Sequence, residues 1–339
     1  MRVLVTGIGG AIGVHTLAHI MHNTDWEVVG IDSFKKEHLG YYDRIAEVTK
    51  DHPEWHDRLE IVPHDLVAPF TKRQIKSLGK IDHIINLASR SDVWLSVDDP
   101  VPFVRNNTEL MLNMLELARE LKPKSFVQFS TDEVYGATPK DSGGHKEWST
   151  ILPSNPYSAS KAAQEALCIA WWRTYGVPVI ITNTMNNFGE MQGATKYPAM
   201  IQKKLEAGET VTVHASNGEI GTRYYLHSRN TADAVLFILQ NLPAHLHQAG
   251  EIDMPDRYNI VGDIQLDNLE LAQEIADIMG KDLDYKLIDF HKEQPGHDLH
   301  YGLNGDKLSK LGWKSPVSFK ESMTNTIKWQ QDNDKWLRG

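Results

Sequence analysis

A single cysteine, Cys168, stands among the 339 residues, so the chain has no internal disulfide and suits a reducing compartment. Long apolar runs are missing too, and none approaches the roughly 18 residues that a membrane-spanning helix needs. Basic charge is in short supply: 35 lysines and arginines face 45 aspartates and glutamates, a formal net charge of −10. An acidic chain without a basic cluster is a poor match for nucleic acid or an anionic membrane surface. Glycines interrupt the first apolar stretch and no cleavage-like site follows it, so it reads as a strand and not a secretion signal. The cytoplasm is the expected location. There is no internal repeat and no low-complexity linker. What remains is an ordinary globular composition, 41% apolar and 24% charged, long enough for one large or two medium domains.

The first 180 residues alternate β-rich runs with helical patterns, which predicts an α/β fold with a doubly wound parallel sheet of the Rossmann type. Candidate strands are Arg2–Thr6, Glu27–Asp32, Leu59–Pro63, His83–Leu87, Phe126–Ser130 and Val179–Thr184. They are continuous apolar runs, as strands covered by helices on both faces require. Helices fit at Ile12–His22, Pro69–Leu78, Val101–Leu121 and Ser158–Tyr175. The rhythm then loosens, with a helix near Pro198–Ala207, a strand near Thr210–His214, and Asn268–Met279 and Phe319–Trp336 as late helices. This predicts a cofactor domain over 1–185 and a smaller C-terminal substrate-binding domain over 186–339. Part of 222–262, around Tyr258–Val261, is expected to return to the first sheet.

Gly7, Gly10 and Gly13 directly follow the first strand and open the first helix. Small residues let a backbone approach a pyrophosphate, and the helix start offers free N–H groups and a positive dipole end. Asp32 closes the second strand, where a carboxylate can hold a ribose 2′-hydroxyl and would repel a 2′-phosphate; NAD is therefore expected over NADP. Asp65 and Leu66 would flank the adenine, and Leu87, Ala88 and Ser89 would lie under the cofactor. The expected cofactor set also takes in Ala11, Ile12, Ser33, Asn106, Ser130, Tyr157 and Lys161.

Tyr157 and Lys161 lie one helical turn apart, so an ammonium beside the phenol, with a cationic nicotinamide ring, would favour phenolate. Such a tyrosine takes a proton from an alcohol while NAD accepts a hydride. The alternative is a surface tyrosine and lysine. Asp132 and Glu133 follow Thr131 at the end of an apparent buried strand. They reach one pocket only if the chain turns there, for which Gly136 is suited. An acid and a base so placed could remove a proton next to a carbonyl and protonate a departing hydroxyl, which is dehydration. Otherwise they are solvated acids on a strand-end turn.

Over nearly its whole length the chain resembles the extended short-chain dehydrogenase/reductase family, and within it the nucleotide-sugar 4,6-dehydratases of the dTDP-glucose type. The resemblance rests on the Gly7/Gly10/Gly13 loop, Asn86-Leu-Ala-Ser, Asn107 followed by Met114-Leu-Glu, and Ser130-Thr-Asp-Glu-Val-Tyr-Gly. Pro156-Tyr-Ser-Ala-Ser-Lys161, Asn186-Asn-Phe-Gly, Pro295-Gly-His-Asp298 and Leu311-Gly-Trp313 complete it. It implies an NAD-dependent lyase of deoxysugar biosynthesis that turns an NDP-hexose, dTDP- or UDP-glucose-like, into the 4-keto-6-deoxy sugar and water. Tyr157 would deprotonate the 4-hydroxyl oriented by Thr131, Glu133 would take the C5 proton, and Asp132 would protonate the leaving C6 hydroxyl. The implied substrate contacts are Ser91, Thr131, Asn187, Lys196, His214, Arg223, Asn259 and His300, with Arg223 on the diphosphate and His214 stacked on the base. Arg223 also reads as a salt bridge, and His214 as a core histidine. The resemblance further implies a homodimer through helices 101–121 and 158–175. Asp92, Trp94, Asn183, Tyr224, Gln294 and His300 depart from residues usual in the family; they bear on which nucleotide and sugar are bound and leave the core chemistry intact.

His15, His19 and His22 have the i, i+4 and i+3 spacing of metal ligands, but no carboxylate or cysteine accompanies them on that helix, and no metal is expected. The rival readings are another nucleotide-sugar enzyme of the same fold (a 5,6-dehydratase, a 4-epimerase or a decarboxylase) or a non-catalytic NAD-binding regulator.

Overall fold

Runs of valine and isoleucine near the N-terminus become the middle of a seven-stranded, all-parallel sheet. Its strands are β1 (Arg2–Thr6), β2 (Glu27–Asp32), β3 (Leu59–Pro63), β4 (His83–Asn86), β5 (Ser125–Thr131), β6 (Val179–Thr184) and the strand Asp256–Ile260. From one edge the order is β3-β2-β1-β4-β5-β6 and then 256–260, so the winding reverses between β1 and β4. The computed structural model describes residues 1–35, 41–140, 142–289 and 296–338. Gln294 and Pro295, named above, therefore lie outside the described residues.

Alternate side chains of each strand feed two cores. Val3 and Val5 pack with Val14, Leu17 and Ile20 of α1 (Ala11–Asn23) and with Val235 and Ile238 of the helix Ser228–Asn241. Leu4, Ile84 and Phe126 pack on the other face, against Met111, Met114 and Leu115 of α5 (Pro100–Leu121) and Cys168 and Trp172 of α6 (Pro156–Tyr175). That double coverage keeps the strand sequences apolar throughout. Chain beyond residue 185 thus contributes both an edge strand and a covering helix to this body. Two three-stranded sheets, built on Thr222–His227 and Val211–Ser216, enclose a third core with the helices Tyr197–Ala207, Asn268–Met279 and Phe319–Asp332.

Several elements differ from the sequence expectation. The helix placed at Pro69–Leu78 is α3 (Lys72–Leu78); Thr71 caps it, accepting from the Gln74 nitrogen while the Gln74 side chain returns to the Thr71 nitrogen, so Pro69 lies ahead of it. The late helix at Phe319–Trp336 stops at Asp332, and Lys335–Arg338 forms a separate turn. α2 (Tyr41–Thr49), α4 (Val93–Asp98) and Ser228–Asn241 are additional helices. Among the described residues no helix is long and apolar enough to cross a membrane.

Candidate active site

The carboxyl ends of β1 and β4, at the winding reversal, form a cradle with almost no side chain. Gly7 has φ +67°, and a Cβ there would stand 3.0 Å from the Ala88 nitrogen; at Gly13 a Cβ would run into the Gly7 carbonyl. Gly10 caps α1 without a side chain, and the amides of Ala11, Ile12 and Gly13 have no acceptor within the helix. Asp32, buried at the end of β2, accepts from the Gly9 nitrogen (3.1 Å) and the Phe34 nitrogen (3.3 Å), with half-buried Ser33 between. Thr6 Oγ1 accepts from the Leu87 and Ala88 nitrogens, 3.1 Å each, and so pins the β4 turn to β1. Ser89 and Asn106 stand half-buried beyond it. Farther out, Asp65 pairs with Lys35 at 3.0 Å beside buried Leu66. The glycine cradle, the helix start and the carboxylate at the end of β2 fit a dinucleotide.

Arg44 of α2 reaches over this turn. It donates to the carbonyls of Gly9 (3.2 Å) and Met191 (3.1 Å), with its guanidinium over the Tyr41 ring. No periodicity or cap marks it in the sequence.

β5 ends by tightening into a 3-10 turn over Asp132–Tyr135, and Gly136 leaves it at φ +75°, where a Cβ would strike the Leu152 carbonyl. The turn brings both acids toward one pocket. Thr131 Oγ1 donates to Asp132 Oδ1 at 2.9 Å and accepts from the Glu133 nitrogen at 3.3 Å. Asp132 Oδ2 and the Ser130 hydroxyl are buried without a hydrogen-bond partner among the described residues. Burial lifts Asp132 to about 6. Burial, with the neighbouring Asp132 charge, lifts Glu133 to about 7, while Asn155, Arg223 and Lys196 pull the other way.

Tyr157 opens α6 beside these acids, and its backbone nitrogen donates to Ser96 of α4. Lys161, one turn on, is buried; burial brings it down to about 8. Its ammonium donates to the Phe129 carbonyl (2.7 Å) and to Gln164 Oε1 (2.8 Å), and so braces β5 against α6. The lowering of the Tyr157 phenol expected from Lys161 is that of a phenol also facing a cationic nicotinamide ring. Burial pushes that phenol up, and the Glu133 and Asp132 carboxylates push in the same direction.

Around the acids, Arg223 donates to the main-chain carbonyls of Thr222, Asp298 and Leu299 and stacks on Tyr301 at 4.3 Å. Its charge is felt at both Asp132 and Glu133. Lys196 is exposed ahead of the helix Tyr197–Ala207, and Ser91 is exposed beyond β4. His214, 5.9 Å from the Tyr197 ring, is held at about 4 by burial and then by Arg223. Other expected contacts are committed to the fold. Asn259 is fully buried, and its amide nitrogen bridges the carbonyls of His145 (2.9 Å) and Asn304 (3.0 Å). His300 uses one ring nitrogen toward Thr222 (2.9 Å) and the other toward Glu219 (3.2 Å). Asn187 donates to Thr184 and Met185 and accepts from Thr231. Asn183 joins the Thr131 carbonyl (3.0 Å) to Glu165 (2.8 Å), and Glu165 in turn meets Arg257 at 2.8 Å in a fully buried ion pair. Asp92 caps α4, and Trp94 on that helix stands 5.8 Å from the His297 ring.

The three histidines of α1 part company. His19 meets Asp233, His22 stacks edge-on against His52 and Trp55, and His15 joins Glu190 and His227 in a buried cluster that helix spacing does not reveal. His227 Nδ1 accepts from the Arg229 nitrogen, so Nε2 carries the proton and donates to Glu190 at 2.9 Å. A ligating histidine needs the opposite tautomer, and the cluster is satisfied as a hydrogen-bonded one.

The family model described as GDP-mannose 4,6 dehydratase matches residues 4–326. A dTDP-glucose 4,6-dehydratase of Shigella flexneri is 31% identical, over 99% of this chain and 94% of its own length. The low-salt glycan biosynthesis protein Agl12 of Haloferax volcanii is likewise 31% identical, over 99% and 100%. Among solved structures, a dTDP-glucose 4,6-dehydratase of Streptomyces venezuelae with NAD bound superposes with a TM-score of 0.85 at 29% identity, covering 99% of each chain.

Proposed function

The chain belongs to the GDP-mannose 4,6 dehydratase family and is an NAD-dependent nucleotide-sugar 4,6-dehydratase, and on that premise we propose which of its groups carry each step. The observation that carries the proposal is two adjacent acids, both with raised pKa values, gathered beside Tyr157 in one pocket. The glycine cradle and Asp32 would hold NAD, which when bound accepts the C4 hydride and returns it to C6. Tyr157 takes the C4 hydroxyl proton, with Thr131 orienting that hydroxyl. A carbonyl at C4 acidifies the C5 proton, which Glu133 removes; a carboxylate poised near 7 is matched to that task. Asp132, whose Oδ2 has no protein partner among the described residues, delivers a proton to the C6 hydroxyl as it leaves as water. Returning the proton to C5 resets Glu133, and the C4 hydroxyl proton taken by Tyr157 replaces the one that Asp132 gives up, so the site ends each turnover as it began. To take the C4 hydroxyl proton Tyr157 must stand as phenolate; the Lys161 ammonium one turn on and the cationic nicotinamide ring of bound NAD favour that form, and Lys161 also braces β5 against α6.

Arg223 faces the diphosphate in this reading, and its three carbonyl contacts leave the fork aimed by the 298–301 segment. Lys196, His214 and Ser91 line the approach. Asn187, Asn259 and His300 shape the pocket through their protein partners. The names of the relatives make a dTDP-hexose the first candidate substrate. We assign residues 1–185, with 228–241 and 256–260, to the cofactor body and the remainder mainly to the substrate. Exposed Val101 and Leu95 on the α4–α5 face suit a homodimer through 101–121 and 158–175, and the cytoplasm is the proposed location.

The test is a panel of dTDP-, UDP-, GDP- and CDP-hexoses, read by mass spectrometry for a product lighter by one water. No turnover of any of them sinks the reading. Glu133→Gln should stop water loss yet leave a first hydride transfer visible as NADH absorbance.

A further inference from the structure

Asn155 stands where three parts of the pocket meet, and every polar atom of its side chain is used. Oδ1 caps α6 by accepting from the Ser158 nitrogen at 2.8 Å. Nδ2 carries two hydrogens; one goes to Glu133 Oε2 at 3.0 Å and the other to the Gly296 carbonyl at 2.9 Å. A flipped amide would turn its oxygen toward two acceptors and its donor toward an N–H, so the orientation is fixed by chemistry. The residue is 6% exposed. Gly296 has φ +92°, and a Cβ there would come within 3.1 Å of Asn155 Cβ, so the close approach depends on glycine. Asp298 and Leu299, just past Gly296, supply carbonyls that aim Arg223.

We propose that Asn155 is a positioning residue for Glu133, holding that carboxylate toward the substrate in its basic form and tying it to the segment that seats Arg223. The proposal rests on the reading of Glu133 as the C5 base. A donor to a carboxylate stabilises the anion, and an ionised acceptor makes the bond stronger than a neutral one. The other groups facing Glu133 are Asp132 on its own turn, Tyr157 from α6, Lys196 ahead of the helix Tyr197–Ala207, Arg223 from the strand Thr222–His227, and Tyr301. Asp132 opposes ionisation, and Arg223 and Lys196 favour it. Among the described residues, Asn155 is the one whose side chain hydrogen-bonds the Glu133 carboxylate.

Asn155→Ser separates the roles, since serine is as good an N-cap but cannot make both donations. Infrared titration of the Glu133 carboxyl, identified by difference against Glu133→Gln in the NAD-loaded enzyme, should move up by about one pH unit. With the hexose nucleotide that turns over best, the acid limb of kcat should move with it, KM should change little, and transient NADH should build up because C4 oxidation does not pass through Glu133. Asn155→Asp keeps the cap and the size but sets a second carboxylate against Glu133, and should shift the titration further. An unmoved titration in both variants, at unchanged melting temperature, overturns the proposal. So does a raised KM with an unmoved acid limb. The infrared titration needs no substrate, so failure of the dehydratase reading would show separately, as no turnover by the wild type.

Discussion

Replacing Glu133 by glutamine should strengthen the fold while it disables the chemistry, and the gain should grow with pH. Burial, with Asp132 alongside, lifts this carboxyl from 4.5 to about 7. Between those values the folded chain holds more protons than the unfolded one, so stability falls as pH rises through the window. The penalty is absent below the unfolded pKa and complete above the folded one. A displacement from 4.5 to about 7, at about 1.4 kcal/mol per unit, amounts to about 3 kcal/mol. Asp132 sits at about 6 for the same reason, so the midpoint observed belongs to the pair. Glutamine keeps the shape, and its carbonyl oxygen still accepts from Asn155. Urea unfolding of wild type and Glu133→Gln at about pH 5 and about pH 8 measures the difference; the variant's advantage should be about 2–3 kcal/mol larger at the higher pH. An equal difference at both values would refute the claim that Glu133 is held with a raised pKa.

Gly13→Ala should abolish NAD retention, read as cofactor released on denaturing the purified protein, because the new Cβ would meet the Gly7 carbonyl and Ile8. Arg44→Ala removes two hydrogen bonds that hold the glycine turn, each worth about 1 kcal/mol, and should weaken NAD binding roughly tenfold by fluorescence titration with kcat at saturation little changed. Arg257→Leu strands the Glu165 carboxylate and should cost about 3–5 kcal/mol in denaturant unfolding, much of it recovered when Glu165→Leu is added.

The seven-stranded body was readable because strands buried on both faces carry unbroken apolar runs: Arg2–Thr6, Glu27–Asp32 and Val179–Thr184 stand where their runs begin and end. Asn268–Met279 was equally plain, with Asp267 and Glu270 as a capping box and Gly280 in the left-handed region after it. The helix Ser228–Asn241 escaped notice because its cap is His227, whose ring stands in for the usual hydroxyl or carboxylate. α4 is six residues long, too short for a period to register. In the pocket, local spacing singled out Thr131, Asp132, Glu133, Tyr157 and Lys161. It was silent on whatever depends on partners far along the chain. Lys161 turned to the Phe129 carbonyl, and Asn155 spends a hydrogen on Gly296, 141 residues away. Arg44 meets Met191 across 147 residues, a pairing no local pattern carries.

The same limit explains why sequence cannot sort the acids of this site by role. Glu165 lies two turns beyond Tyr157 on α6, fully buried, and reads along the helix as one more candidate for proton transfer. Its oxygens are taken by Arg257 and Asn183 at 2.8 Å each. Asp132 is nearly as buried, yet among the described residues one of its oxygens meets no protein donor, and the Glu133 carboxylate has Asn155 alone in hydrogen-bond contact. A carboxylate that joins α6 to the strand Asp256–Ile260 can be matched permanently to a guanidinium, because it never needs its proton back. One that must gain and lose a proton in each turnover cannot, since a cation at that range would hold it ionised. Arg223 and Lys196 therefore act on Glu133 through charge, while the neutral amide of Asn155 makes the contact: it orients the carboxylate and leaves its proton exchangeable.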